Sequence, residues 1–168
     1  MGSEKKRTLK PYNYHVIHKG FVDVDELVEA ITSWLEEYKY DYGFKKISQS
    51  VKEDGGEIEI DIVSEKEISP YVKFNIEIGI WLLKGQKVMV EKETGKKSGR
   101  AGKLEVQIKG SMEKDYNEMY EKNNFTKFLR EIYERYIIKN VLSGMEAKIY
   151  IEGEKLGKVI NKVLERIG

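Results

Sequence analysis

Residues 71–83 read YVKFNIEIGIWLL, and every even position from 72 to 82 is apolar. Lys73, Asn75, Glu77 and Gly79 fall between them. Side chains on a strand alternate faces, so this pattern describes one long strand with an apolar and a polar side. Two flanking runs repeat it. Ile58, Ile60 and Ile62 alternate with Glu57, Glu59 and Asp61, and Leu104, Val106 and Ile108 alternate with Glu105, Gln107 and Lys109. Three such runs imply an antiparallel sheet that is solvated on one face and covered on the other.

The cover has to come from helices on either side of these strands. Asp23 suits a helix N-cap, with Glu26 three residues on. Leu27, Val28, Ile31, Leu35 and Tyr38 then recur at helical spacing, with Trp34 beside them. Gly43 is available for the positive φ that stops a helix. From 116 onward the period returns to 3.6. Phe125, Phe128, Leu129, Ile132 and Tyr136 form one apolar face, expected to be the main cover of the sheet. Gly144 is its expected terminator. A last stripe, from Met145 through Ile149, Leu156 and Ile160 to Ile167, reads as a further helix, with a short strand over 148–151 as the alternative.

Between the helices the strands run 44–52, 57–68, 71–83, 87–92 and 104–109, after a first strand over 12–17. Asp54-Gly55 suits a tight hairpin turn, Ser69-Pro70 a break, 84–86 a second turn, and 93–102 a longer connection. The expected fold is therefore α+β: an antiparallel meander of about six strands, in the order β-α-β5-α-α, with one face covered by helices. Residues 1–10 lack periodicity and read as a mobile basic arm, leaving 11–168 as a single domain.

This order resembles the helix-grip arrangement of START and Bet v 1-like proteins, in which a curved sheet wraps a long C-terminal helix. The chain also resembles conserved hypothetical proteins of archaea. The helix-grip resemblance implies an apolar ligand pocket between sheet and long helix. Its candidate lining is Phe74, Ile78, Tyr136, Leu129 and Tyr38.

Charge supplies the other feature. The chain carries a net +1, but residues 1–10 hold +3 and residues 84–103 hold +5, which leaves the rest at −7. Lys5, Lys6 and Arg7 in the arm, with Lys96, Lys97, Arg100 and Lys103, are the candidates for phosphate contact. Gly102-Lys103 resembles the end of a phosphate loop, but a strand follows where a helix is required. The plainer reading is a solvated hairpin tip whose lysines discourage edge pairing.

Catalytic and metal motifs are missing from the pattern. His15 and His18, the two histidines, point to opposite faces of a strand and do not suit one metal ion. Glu57, Glu59, Asp61 and Glu77 lie on the watery face, where Lys73, Lys87 and Lys109 are expected cross-strand partners. No nucleophile has an identifiable base. No cofactor is expected.

No apolar run approaches the roughly 18 residues of a membrane span. The absence of cysteine fits a cytoplasmic protein. Abundant Lys and Glu with only three Gln resemble heat-adapted proteomes, and an AT-rich genome gives a similar bias. The leading expectation is a non-enzymatic binding module for a small apolar ligand or a protein partner. The alternative is a nucleic-acid or ribosome-associated protein using the arm and 93–103; a helix-grip hydrolase or cyclase is the third.

Overall fold

The structure, a computed structural model, describes residues 8–53, 55–92, 95–115 and 122–167, without the side chains of 8–11, 92, 136, 137, 166 and 167. Strand β1 (Thr8–Val22) leads into helix α1 (Val24–Glu37). Four antiparallel strands follow: β2 (Asp41–Lys52), β3 (Gly55–Glu67), β4 (Val72–Lys92) and β5 (Gly95–Lys114). Helix α2 (Asn124–Ile132) continues through a π-helical turn (Tyr133–Ile137) into helix α3 (Lys139–Ile167). The sheet order is β1-β5-β4-β3-β2, so the chain returns after β5 to lie beside its own first strand.

The α+β class and the alternating faces are as the sequence implies. Ile78 lies opposite Ile108, Ile80 opposite Val106 and Leu82 opposite Leu104. Phe74, Ile76, Ile62 and Ile60 share their face, and all are buried. The other face carries ion pairs, with Lys46–Glu59 at 2.7 Å, Lys52–Glu57 at 2.8 Å and Lys73–Glu65 at 3.1 Å. Exposed pairs of this kind add little to stability.

The strand count differs, and the reason is a bulge. Residues 84–86 do not reverse the chain. The register slips between Leu83 and Gln86, and Lys84 adopts a φ of 54°. β4 therefore runs on through the expected turn. β5 begins at Gly95, inside the expected connection, and residues 93–94 lie outside the described set. Two long strands replace the three segments 71–83, 87–92 and 104–109. Backbones crowd at this point. A Cβ on Gly102 would stand 2.6 Å from the Leu83 carbonyl oxygen. Glycine allows that approach.

The helical cover also differs. α1 and α3 lie on the sheet; α2 does not. Leu27, Ile31 and Leu35 of α1 and Leu156 and Ile160 of α3 are fully buried. Asp23 caps α1 as expected, accepting from the Glu26 amide at 3.1 Å. The helix stops before Gly43: Lys39 takes the positive φ, 65°, and Gly43 lies in β2. α3 passes without interruption through Gly144 and through 148–151, so neither the terminator nor the strand alternative holds. Gly153 costs helix propensity, but a Cβ there would enter the Tyr12 ring, so its absence lets α3 settle against β1.

α2 presents its apolar side outward. Phe125 and Phe128 are 67 % and 56 % exposed and Leu129 is 38 % exposed. Its inward side is polar. Arg130 is buried, Tyr133 meets Tyr71 edge-on at 5.5 Å, and Glu134 binds the Tyr71 hydroxyl and Lys114 Nζ. Polar contacts from Glu134 and the Tyr133–Tyr71 ring contact join this segment to β5 and to the residue before β4.

Two substitutions check this division. Ile78→Ala should cost about 2–5 kcal/mol in urea unfolding, as for a buried aliphatic side chain truncated in a core. Phe128→Ser should stay within about 0.5 kcal/mol, as for an exposed site. Equal costs would mean that α2 is part of the core cover.

Candidate functional site

The gap between the sheet and α3, where a pocket was expected, contains a buried ionic cluster. Lys66 on β3 donates to both oxygens of Glu152 on α3, at 2.8 and 3.0 Å, and to the Tyr38 carbonyl at 3.1 Å. The Tyr40 hydroxyl donates to the same carboxylate. Aromatic rings enclose the ammonium, with the Tyr40 centroid 4.4 Å away and that of Phe74 5.9 Å away. Trp34 stacks on Tyr38 at 4.4 Å and on Tyr40 at 5.8 Å.

Of the expected pocket residues, Phe74 and Ile78 are thus buried core, and Tyr38 is half-buried beneath Lys155. Leu129 lies apart from them on α2. The Tyr136 side chain is outside the described residues.

The structure shows a cleft at the other end of the sheet. There the start of α1, next to Val22, faces the distal parts of β2, β3, β4 and β5. The cleft between them measures about 670 Å³. Ile58, Ile60 and Val22 lie in it, with Ile47 and Met89 beside them at 68 % and 67 % exposure. Asp23 and Asp25 stand on its helix side, and Lys87, Ser98 and Arg100 on its sheet side.

The bulge determines which side chains reach this cleft. From the Leu82–Leu104 pair to the Lys87–Arg100 pair, β4 spends five residues and β5 four. One extra residue turns the following side chains to the opposite face. Lys87, expected among the acidic groups of the outer face, therefore stands in the cleft beside Arg100.

Of the expected phosphate-contact residues, three of those described have partners within the chain. Lys97 binds Glu26 and lies 3.4 Å from Asp23. Lys103 pairs with Glu105 at 2.9 Å. Arg100 donates to the Gly85 carbonyl at 3.3 Å, and Lys96 is exposed. Lys5, Lys6 and Arg7 lie outside the described residues. The side chain of His15 lies 3.6 Å from Glu105, and His18 contacts the Phe21 carbonyl at 3.0 Å. Among the described residues, no three acidic or histidine side chains gather as a metal site, and no helix is long and apolar enough to cross a membrane.

Sequence reasoning missed the cleft because its members come from five separated segments. One signal was available: Lys84-Gly85 admits a bulge as readily as a turn, and a bulge places Lys87 against Arg100.

Comparison of the chain with protein-family models and with curated proteins gives no match. Function is therefore argued from the chain's own chemistry.

Two measurements check the buried cluster. Lys66→Met leaves Glu152 without its cation and should cost about 3–5 kcal/mol, whereas Lys66→Met with Glu152→Leu should recover most of that in urea unfolding. Burial, then the Glu152 carboxylate, pushes the Tyr40 hydroxyl far above its ordinary value of 10.0. Burial, then Glu134, does the same for Tyr71. The folded protein keeps protons that the unfolded chain loses near pH 10, so this contribution is complete below that pH and stability falls as pH rises past it. Tyrosinate absorbance of the folded protein at about pH 11.5 should fall short of the eleven tyrosines by at least two.

Proposed function

We propose that the protein is a non-enzymatic binding module that takes a small, largely apolar ligand in the cleft between the open half of the sheet and the start of α1. One observation supports this above the others. The cleft has a volume of about 670 Å³, an apolar floor and a few polar side chains that converge on it. Ligand sites usually have this make-up and fall between about 300 and 1,000 Å³.

The chemistry of the lining favours binding over turnover. Ser48 and Ser98 border the cleft, but no histidine does. Asp23 is committed to the α1 cap and to Lys97. Asp25 is exposed. Nucleic-acid binding is the weaker reading, because Lys97 and Lys103 already have carboxylate partners.

N-phenyl-1-naphthylamine, an uncharged fluorescent probe, tests the proposal. It should bind saturably at one site. Ile58→Trp, which fills the cleft, should weaken it by about tenfold or more, the equivalent of about 1.4 kcal/mol. Phe128→Ser should leave binding unchanged. Loss in Phe128→Ser with retention in Ile58→Trp would move the site to the apolar side of α2.

A further inference from the structure

We infer that the ligand of this cleft is an anionic amphipath, whose carboxylate or phosphate oxyanion is bridged by Lys87 and Arg100 while its apolar tail lies on Ile58 and Ile60. The inference rests on the reading of the cleft as a ligand site and adds the charge and orientation of what it takes.

Lys87 and Arg100 are direct cross-strand partners. Residues so paired point to the same face with Cβ atoms about 5 Å apart, and like charges placed there destabilise a sheet. Both side chains border the cleft. Two nearby cations do have acidic partners: Lys97 reaches Asp23 and Glu26, and Lys103 reaches Glu105. Among the described residues, the only hydrogen bond of Arg100 goes to a backbone carbonyl, that of Gly85, and Lys87 has no carboxylate partner. A bridging oxyanion would relieve the repulsion and accept charge-assisted hydrogen bonds from both groups.

The cleft is also polarised. Its two carboxylates, Asp23 and Asp25, belong to the α1 wall, and its two cations belong to the sheet. An anionic head is therefore drawn to β4 and β5 and repelled from the helix. That leaves the tail to run along Ile58, Ile60 and the exposed rim residues Ile47 and Met89. The charged groups confer orientation and selectivity, and the apolar floor supplies the general affinity.

Calorimetry on the full chain at low salt tests this with octanoate, octyl phosphate and 1-octanol, which share a tail and differ in head group. At least one of the two anions should bind about tenfold more tightly than the alcohol, a modest return for charge-assisted contacts in a partly open site. The advantage should shrink as salt is raised. Lys87→Gln with Arg100→Gln should abolish the preference, so that the anions bind no more tightly than the alcohol. The ratio of octanoate to octyl phosphate affinity identifies the head group.

Octanol binding as tightly as both anions, or a double variant that keeps the preference, would overturn the anionic assignment and leave the apolar cleft standing. Failure of all three compounds and of the uncharged fluorescent probe would overturn the cleft itself.

Discussion

The pairing of β4 with β5 governs the rest of the fold. It places Ile78 opposite Ile108, Ile80 opposite Val106 and Leu82 opposite Leu104. That row is the floor on which both covering helices rest. The alternation is strict because the other face meets water: a slip of one residue would expose the whole row and bury Glu77, Lys109 and Glu105. Register is thus strongly specified up to Leu82. Past that pair the extra residue of the bulge reverses the faces, and the cost of reversal is small because no helix lies over the distal half. Burial enforces the pattern in one half of the sheet; in the other it is released.

The covered half is closed by two kinds of contact. α1 and α3 bury aliphatic stripes, which give area but little choice of position along the sheet. Lys66 and Glu152 add a contact with fixed geometry. Taking both ions from water is expensive, so the pair is weak evidence for stability, but its partners leave little freedom. The Lys66 ammonium has Glu152, the Tyr38 carbonyl and the Tyr40 ring around it, and the Glu152 carboxylate has Lys66 and the Tyr40 hydroxyl. The cluster ties β3, the start of β2 and α3 to one arrangement. It also occupies space that a helix-grip ligand would need between sheet and long helix.

Legibility in the sequence followed the strength of the physical signal. The three alternating runs and the Asp23 cap were readable because their patterns are local and repeated. The bulge was not, since Lys-Gly-Gln serves a turn and a bulge equally well and only the partner strand decides. The face of α2 was misread for a different reason. Phe125, Phe128 and Leu129 have helical spacing, and periodicity shows that a helix has an apolar side, not that the side is buried. Here Glu134, just past α2, is held by Tyr71 and Lys114, which precede the helix in the chain, and the apolar side is left outward. The cleft was the least legible feature because it follows from both misreadings. It opens where the bulge extends the strands past the helices, and its charged pair exists only in the slipped register.

The division of the sheet also bears on where a ligand is accommodated. Side chains in the covered half are packed to near-crystalline density, and inserting a ligand there means displacing them. In the distal half Ile47 and Met89 already face water, so covering them gains apolar burial without first removing anything. The same argument applies to charge. Lys66 is neutralised by Glu152 inside the core and offers nothing to a ligand. Lys87 and Arg100 are cross-strand partners, and among the described residues neither pairs with a carboxylate, so the proposed anion would improve both. Exposed apolar side chains and the Lys87–Arg100 pair thus lie at the same end of the sheet, which is what the proposed ligand site requires.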